Sequence, residues 1–238
     1  MSITDLEVDL SQYVKDYIGG RADALADGLN ALTRPNSFRA MLAEVLTNET
    51  RLREVASRSA WHPNGFAKIV LLSQPSYKLR LHVWRNAMSS PTHAGENIHN
   101  HRWDFSTVLL AGGYRHQEFR PAATGQKFLA YTYGEAGILS EDALAPMGAQ
   151  TLRCVFDAHL GPGSGYTISS EVLHRVIPDL SEPAVSLVLE GPHQPASVQV
   201  FAAEDVGPAD ASAASRLSAE YLLRHMKAIL ALPTFLED

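Results

Sequence analysis

Short segments in which apolar and polar residues alternate recur along the sequence from Phe66 to Phe201. Turns rich in Gly, Pro and Ser separate them, as at residues 74–76 and 161–165. A period of two indicates strands that turn one face toward a core. Many short strands at regular spacing are typical of a β-sandwich or a β-barrel. The sequence therefore predicts a mainly β fold in which alternate side chains of each strand face the interior.

Segments with helical periodicity lie before and after this β region. Residues 4–58 place apolar side chains at helical spacing and include stop and capping signals, which predicts four short helices. Residues 215–232 carry an apolar stripe typical of an amphipathic helix. We expect a helical cap over residues 1–60, a barrel over residues 61–201, and a linker with a C-terminal helix packed on the barrel over residues 202–238. Together these parts would form one structural domain.

The composition is that of a globular protein and argues against two classes of partner. Hydrophobic residues make up 45% of the chain and charged residues 19%, with a formal net charge of -6. The basic cluster that nucleic-acid binding requires is missing, and no apolar run is long enough to span a bilayer. Residues 1–10 lack an export signal, and one cysteine, Cys154, excludes an internal disulfide. We expect a cytoplasmic protein that binds neither nucleic acid nor membrane.

Three histidines form the candidate metal site. His99 and His101 lie two apart in a segment that the alternation predicts as a strand, so both imidazoles would project from one face. His174 lies far downstream in a second predicted strand, after a Gly-rich turn. A His-x-His pair alone is a weak signal, because a strand histidine is as often a core or surface residue as a ligand. The β context and the third histidine favour a metal site inside the barrel.

The two histidine motifs resemble those of the cupins, a family in which a His-x-His motif and a later His build a metal site within a small barrel. Residues 98–101 resemble the first motif of the cysteine dioxygenase branch, and residues 174–187 resemble its second motif. The resemblance covers roughly residues 61–192. It implies a cupin-type antiparallel β-barrel (a double-stranded β-helix or jelly roll), a three-histidine Fe(II) site without a carboxylate ligand, and dioxygenase activity with O2.

The sequence departs from that branch at positions that shape the pocket. Ser106 falls where most cupins place a metal-binding Glu and where some cysteine dioxygenases have a cysteine. Ser186, Val188 and Glu190 stand where the branch has its Ser-x-His-x-Tyr residues. Lys68 lies near the expected position of the arginine that holds the substrate carboxylate. We therefore expect a small anionic substrate, an amino acid or thiol derivative other than free cysteine.

Further residues are candidates for the site. Asp104 could accept a hydrogen bond from a ligand imidazole and fix its tautomer, or could be a surface acid. Glu190 would be a buried acid that acts as a general base or pairs with Arg80. His116 could face the cavity or solvent, and His62 lies in a predicted turn and receives no role. Glu190 and His82 are the catalytic candidates, and the substrate-binding candidates are Arg80, Lys68, Trp84, Trp103, Ser106 and Ser186.

Three functions remain open on the sequence alone. The first is an iron(II)-dependent oxygenase that acts on a small anionic molecule. The second is a non-oxidative isomerase, lyase or hydrolase that uses zinc, nickel or manganese as a Lewis acid. The third is a small-molecule-binding protein without turnover. The sheet edges and helical flanks are compatible with a homodimer, by analogy of fold alone.

Overall fold

Helices flank the β region at both ends, as the sequence predicts. Before the first strand lie α1 (Ile3–Ile18), α2 (Ala24–Leu32), α3 (Pro35–Thr47) and α4 (Glu49–Arg58), and after the last strand lies α5 (Ala219–Leu230). None of the helices in the described part of the chain is long and apolar enough to cross a membrane. The computed structural model describes residues 3–33, 35–62, 64–84, 96–133, 145–179, 181–204 and 215–231.

The strands between these helices form two antiparallel sheets. They are β1 (Ala60–His62), β2 (Phe66–Gln74), β3 (Tyr77–Trp84), β4 (Ile98–His99), β5 (Phe105–Ala111), β6 (Tyr114–Tyr133), β7 (Ala145–Leu160), β8 (Gly165–Ile168), β9 (Leu173–Pro178), β10 (Ala184–Glu190) and β11 (Val198–Ala202). The first sheet has the order β1-β2-β3-β10-β5-β8 and the second the order β11-β4-β9-β6-β7. Because the chain crosses repeatedly between the sheets, the arrangement is a double-stranded β-helix. This confirms the predicted cupin-type barrel with helices at either end.

The main apolar core lies between the outer face of the first sheet and the helices. Leu79 and Leu81 of β3 and Leu187 of β10 belong to one buried cluster that includes residues from all five helices. Because successive strand residues point to opposite faces, Arg80 and His82 turn toward the barrel interior. Leu79 and Leu81 lie on the opposite face of β3, against the helices.

The strand that was predicted to carry both His99 and His101 is shorter than expected. β4 ends at His99, and residues 100–104 form an irregular loop before β5 begins. The side chain of Asn100 takes the place of a backbone acceptor between the strands, because its Oδ1 accepts the Gln199 N–H at 2.7 Å. His101 therefore lies on a loop, and its position relative to His99 is not set by strand alternation.

β6 is longer than the alternation alone suggests. It spans 20 residues without a break and pairs with β7 across a register shift between Pro121 and Gln126. Gly125 lies within that shift at φ +153°, where a Cβ atom would collide with the Leu152 carbonyl oxygen. Most of the linker that was predicted to begin at residue 202 lies outside the described residues, which resume at residue 215.

Candidate metal centre

The three predicted ligand histidines meet inside the barrel. His99 of β4 is paired with His174 of β9, and their ring centroids are 4.9 Å apart. The Nε2 atoms of His101 and His174 are 3.0 Å apart. One nitrogen from each of the three side chains lies within 4.8 Å of the others. The predicted convergence of these histidines is confirmed.

The protonation of these histidines suits a metal ion. Burial lowers the pKa of His99, and burial together with the neighbouring histidines lowers the pKa of His174 well below its ordinary value. Burial has the same effect on the pKa of His101. The imidazoles are therefore neutral and keep a lone pair for coordination. His99 donates its Nδ1–H to the Asn97 carbonyl at 2.9 Å, which leaves Nε2 as its ligand atom.

The distance between the two facing nitrogens also fits a shared ion. Two nitrogens at about 2.1 Å from one metal ion, at right angles to each other, are about 3.0 Å apart. The Nε2 atoms of His101 and His174 have this separation. The donor set present in the structure therefore fits a divalent metal ion bound by three neutral imidazoles.

Phe105, not Ser106, occupies the face of β5 that looks toward the ligands. The Phe105 ring lies 5.1 Å from the His101 ring and 5.8 Å from the His174 ring. Ser106 points to the helix-facing side, where its Oγ is 2.7 Å from Thr167 Oγ1 and its cross-strand neighbour is Leu189 of the main core. Ser106 therefore does not line the site, which corrects the prediction that it binds substrate.

Asp104 makes no hydrogen bond to a ligand imidazole, so the first of the two roles expected for it is not formed. Among the described residues, its Oδ1 accepts the Ser170 N–H at 2.6 Å and, more weakly, the Gln194 Nε2–H at 3.4 Å. Its Oδ2 accepts a hydrogen bond from the Tyr17 hydroxyl. The Ser170 carbonyl in turn accepts the His101 N–H at 3.2 Å. Asp104 thus supports the backbone that carries His101.

Glu190 lies at the centre of a cluster of charges on the inner face of the first sheet. Arg80 Nη2 is 2.5 Å from Glu190 Oε2, which is the second of the two roles expected for Glu190. Lys78 Nζ and His193 Nε2 lie 3.5 Å and 3.1 Å from Glu190 Oε1. The Arg80 guanidinium also lies 5.2 Å above the Trp103 ring. Because both Glu190 oxygens contact cations, these contacts favour the ion-pair role over that of a general base.

Lys68 of β2 faces the same interior. Its cross-strand neighbour is His82, and His82 in turn lies opposite the buried Ser186 of β10. Burial and the nearby Arg80 lower the pKa of Lys68 to about 8. Among the described residues, the Lys68 ammonium has no hydrogen-bond or ion-pair partner.

Aromatic rings and imidazoles surround the candidate centre. Trp84, one of the substrate-binding candidates, packs against Phe66 at 5.1 Å and against Tyr114 at 5.6 Å. Trp103 lies 5.3 Å from His101. The sequence left open whether His116 faces the interior or solvent. His116 is buried, and its ring lies 5.6 Å from the ring of His174. It therefore faces the barrel interior.

His62 is a site residue that sequence reasoning missed. Its ring stacks on Phe66 at 4.5 Å, and Phe66 packs on His82 at 4.4 Å. Its Nδ1 accepts the Asn64 N–H at 3.3 Å, so its proton lies on Nε2. Burial and the nearby Lys68 lower the pKa of His62 well below its ordinary value. β1 has only three residues, which is too short for a recognisable alternation.

Neither a family model nor a curated protein matches this sequence. Among solved structures, an RmlC-like cupin from Shewanella frigidimarina is 10% identical, with 54% of this chain and 78% of that chain covered and a TM-score of 0.33. A hydroquinone 1,2-dioxygenase from Sphingomonas sp. with bound 4-hydroxybenzoate is 10% identical, with coverages of 60% and 72% and a TM-score of 0.33.

A further similar structure is the DMSP lyase DddQ from Ruegeria pomeroyi, at 15% identity, with 56% of this chain and 50% of that chain covered and a TM-score of 0.32. Similarities at this level do not bear on the activity of the present chain. The three structures include no cysteine dioxygenase, and the resemblance to that branch stays a prediction.

Proposed function

We propose that this protein is a metal-dependent cupin-type enzyme in which His99, His101 and His174 hold Fe(II), and that it oxygenates a small anionic molecule. The observation that carries the proposal is the convergence of three neutral imidazoles, two of them with facing nitrogens 3.0 Å apart. Within the described residues the candidate ligand group contains no carboxylate. Bound iron(II) would supply Lewis acidity and redox chemistry toward O2.

The charges around the centre support an anionic substrate. Three neutral ligands would leave a divalent ion with its full charge and with open coordination positions. Arg80 and Lys68 add two cations to the same interior, and Glu190 is already paired with Arg80. An anionic group is therefore attracted into this interior, whereas a cationic molecule is repelled.

The side chains around the centre would orient the substrate and keep water out. Phe105 and Trp103 cover the ligand histidines with apolar surface. His82 is neutral, because burial lowers its pKa well below the ordinary value. Its Nε2 has no hydrogen-bond partner among the described residues. A neutral imidazole in such a position can donate or accept a proton at a substrate atom within reach.

The test is metal content of the purified protein, followed by anaerobic loading with Fe(II) and nitric oxide binding watched by electron paramagnetic resonance. We expect a high-spin iron-nitrosyl signal that is lost in His174→Ala. His159→Ala is the matched control, because His159 lies on the exposed β7 and should leave the signal unchanged. Tightly held zinc, nickel or manganese without a nitrosyl signal would contradict the oxygenase proposal and point to isomerase, lyase or hydrolase chemistry. Failure to take up any metal would contradict the metal site itself and leave a binding protein.

A further inference from the structure

His116 of β6 has an unused hydrogen-bond acceptor inside the barrel. The residue is 2% exposed, and its Nε2 lies 3.3 Å from Glu118 Oε1. Because a carboxylate only accepts, the proton of His116 lies on Nε2. Burial lowers the pKa of His116, so the ring is neutral at pH 7 and Nδ1 keeps its lone pair. That Nδ1 has no hydrogen-bond partner among the described residues.

Tyr166 of β8 places an unused donor beside this acceptor. Its ring lies 4.5 Å from the His116 ring. The Tyr114 hydroxyl donates to the Tyr166 oxygen at 3.3 Å, so the proton of Tyr166 is left to donate elsewhere, and it has no acceptor within the described part of the chain. Burial and Tyr114 raise the pKa of Tyr166 well above its ordinary value, so the phenol keeps that proton at neutral pH.

A hydroxyl group fits the pair formed by His116 and Tyr166. Since hydrogen bonds to an oxygen are about 2.8 Å long, one oxygen atom can reach both neighbouring side chains. A hydroxyl carries a donor and an acceptor on the same atom, whereas a carboxylate only accepts and an ammonium only donates. Buried polar groups in folded proteins are ordinarily paired. A hydroxyl of a ligand, or a water molecule in its absence, would satisfy both groups.

The pair adjoins the candidate metal centre. The His116 ring lies 5.6 Å from the ring of the ligand His174. Phe105, which covers His174 at 5.8 Å, lies 6.4 Å from the Tyr166 ring. A group held between His116 and Tyr166 is therefore close to the metal-bound part of a substrate.

We infer that His116 and Tyr166 form a recognition site for a hydroxyl group of the substrate, which donates to His116 Nδ1 and accepts from the Tyr166 phenol. The substrate class is then a hydroxylated organic acid whose hydroxyl lies beside the metal centre. This inference rests on the proposed function for the anionic part of the substrate. The hydroxyl part rests on the two unused groups of His116 and Tyr166 alone.

The experiment is calorimetric titration of the full chain, loaded with zinc as a redox-inert ion, with 2-, 3- and 4-hydroxybutyrate and with the monohydroxybenzoates. Butyrate and benzoate, which lack only the hydroxyl, are the matched ligands. We expect at least one hydroxy acid to bind about tenfold more tightly than its matched acid, the gain typical of one or two hydrogen bonds.

Variants show which group binds the hydroxyl. Tyr166→Phe removes only the phenol oxygen and should remove most of the preference, and His116→Leu should do the same. His116→Asn keeps an acceptor oxygen near the position of Nδ1 and should retain part of it. Tyr13→Phe in α1, outside the barrel, is the control and should keep the preference in full. A zinc content equal to that of the wild type shows that each variant is folded around the metal centre.

Equal affinities for hydroxylated and matched acids, or no binding of either, would overturn the inference, and a water molecule alone would then satisfy the pair. A preference that survives Tyr166→Phe would also overturn it, because the metal ion would then bind the hydroxyl. Zinc uptake without any preference leaves the proposed function standing. A chain that takes up no metal contradicts the proposed function, and the same titration of the metal-free chain then decides the inference. A preference lost in Tyr166→Phe would support it there, and equal affinities would overturn it.

Discussion

The phenol of Tyr17 in α1 donates a hydrogen bond to Asp104 Oδ2, 87 residues later in the chain. Burial and the Asp104 carboxylate raise the pKa of Tyr17 to about 12, so the phenol keeps its proton at neutral pH. The other Asp104 oxygen accepts the Ser170 N–H, and the Ser170 carbonyl accepts the His101 N–H. Consecutive hydrogen bonds thus connect the helical cap to the backbone of a candidate metal ligand.

We expect Tyr17→Phe to lower the affinity for metal about tenfold, because loss of a partner that orients a ligand commonly costs that much. The loss of one hydrogen bond should also lower the free energy of unfolding by about 1 kcal/mol. Chelator competition on the zinc-loaded protein measures the first effect, and urea unfolding of the metal-free protein the second. Tyr13→Phe in the same helix is the control. An affinity equal to that of the control would show that α1 does not support the ligand loop.

Because Phe105 and Ser106 lie on opposite faces of β5, we expect their substitution to have different effects. Ser106→Ala should leave metal affinity unchanged and cost about 1 kcal/mol of stability, because only the contact with Thr167 is lost. Phe105→Ala should weaken metal binding and cost about 3 kcal/mol, because it opens a cavity beside His101 and His174. Zinc titration and urea unfolding measure the two quantities. Weaker metal binding in Ser106→Ala would return that residue to the site.

Ser106 was placed at the site by its position in the cupin motif, not by strand alternation. Within β5 the side chains alternate, so that Phe105 faces the ligands and Ser106 faces the helices. The resemblance alone therefore did not show which face of β5 Ser106 occupies. In β3 the pattern separates Arg80 and His82 from the leucines of the same strand, but it could not decide whether they face the interior, because a polar face suits solvent as well.

Contacts that join distant elements could not be read from local patterns. One partner of Asp104, Tyr17, lies on α1, and no periodicity connects a helix residue to a loop so far along the chain. The convergence of the three histidines was predictable, because imidazoles brought together inside a barrel commonly bind one metal ion. The pairing of Arg80 with Glu190 was predictable as one of two alternatives, because a buried acid needs a partner.

The Arg80–Glu190 pair should show the energetics of a buried ion pair. Glu190 is 1% exposed and Arg80 11% exposed at the side chain. Glu190→Gln should lower the free energy of unfolding by about 3 kcal/mol, because it leaves Arg80 charged and unpaired. Adding Arg80→Met to Glu190→Gln should restore part of that loss. Urea unfolding of the metal-free single and double variants measures this, and a double variant less stable than the single one would contradict it.

Lys68 should make stability depend on pH in the alkaline range. Burial and Arg80 lower its pKa from 10.5 to about 8 in the folded protein. Below pH 8 both the folded and the unfolded chain hold the proton, and the cost of burying the charge is present in full. Between pH 8 and 10.5 the unfolded chain binds more protons than the folded one, so the stability contributed by this site rises with pH.

We therefore expect metal-free Lys68→Met to be more stable than the wild type at pH 7, and the difference to shrink as the pH rises from 8 toward 10.5. The difference between the two proteins cancels other groups that titrate in this range. Urea unfolding at a series of pH values measures it, with Lys127→Met as the control that should differ little from the wild type throughout. A difference that stays constant with pH would show that folding does not lower the pKa of Lys68.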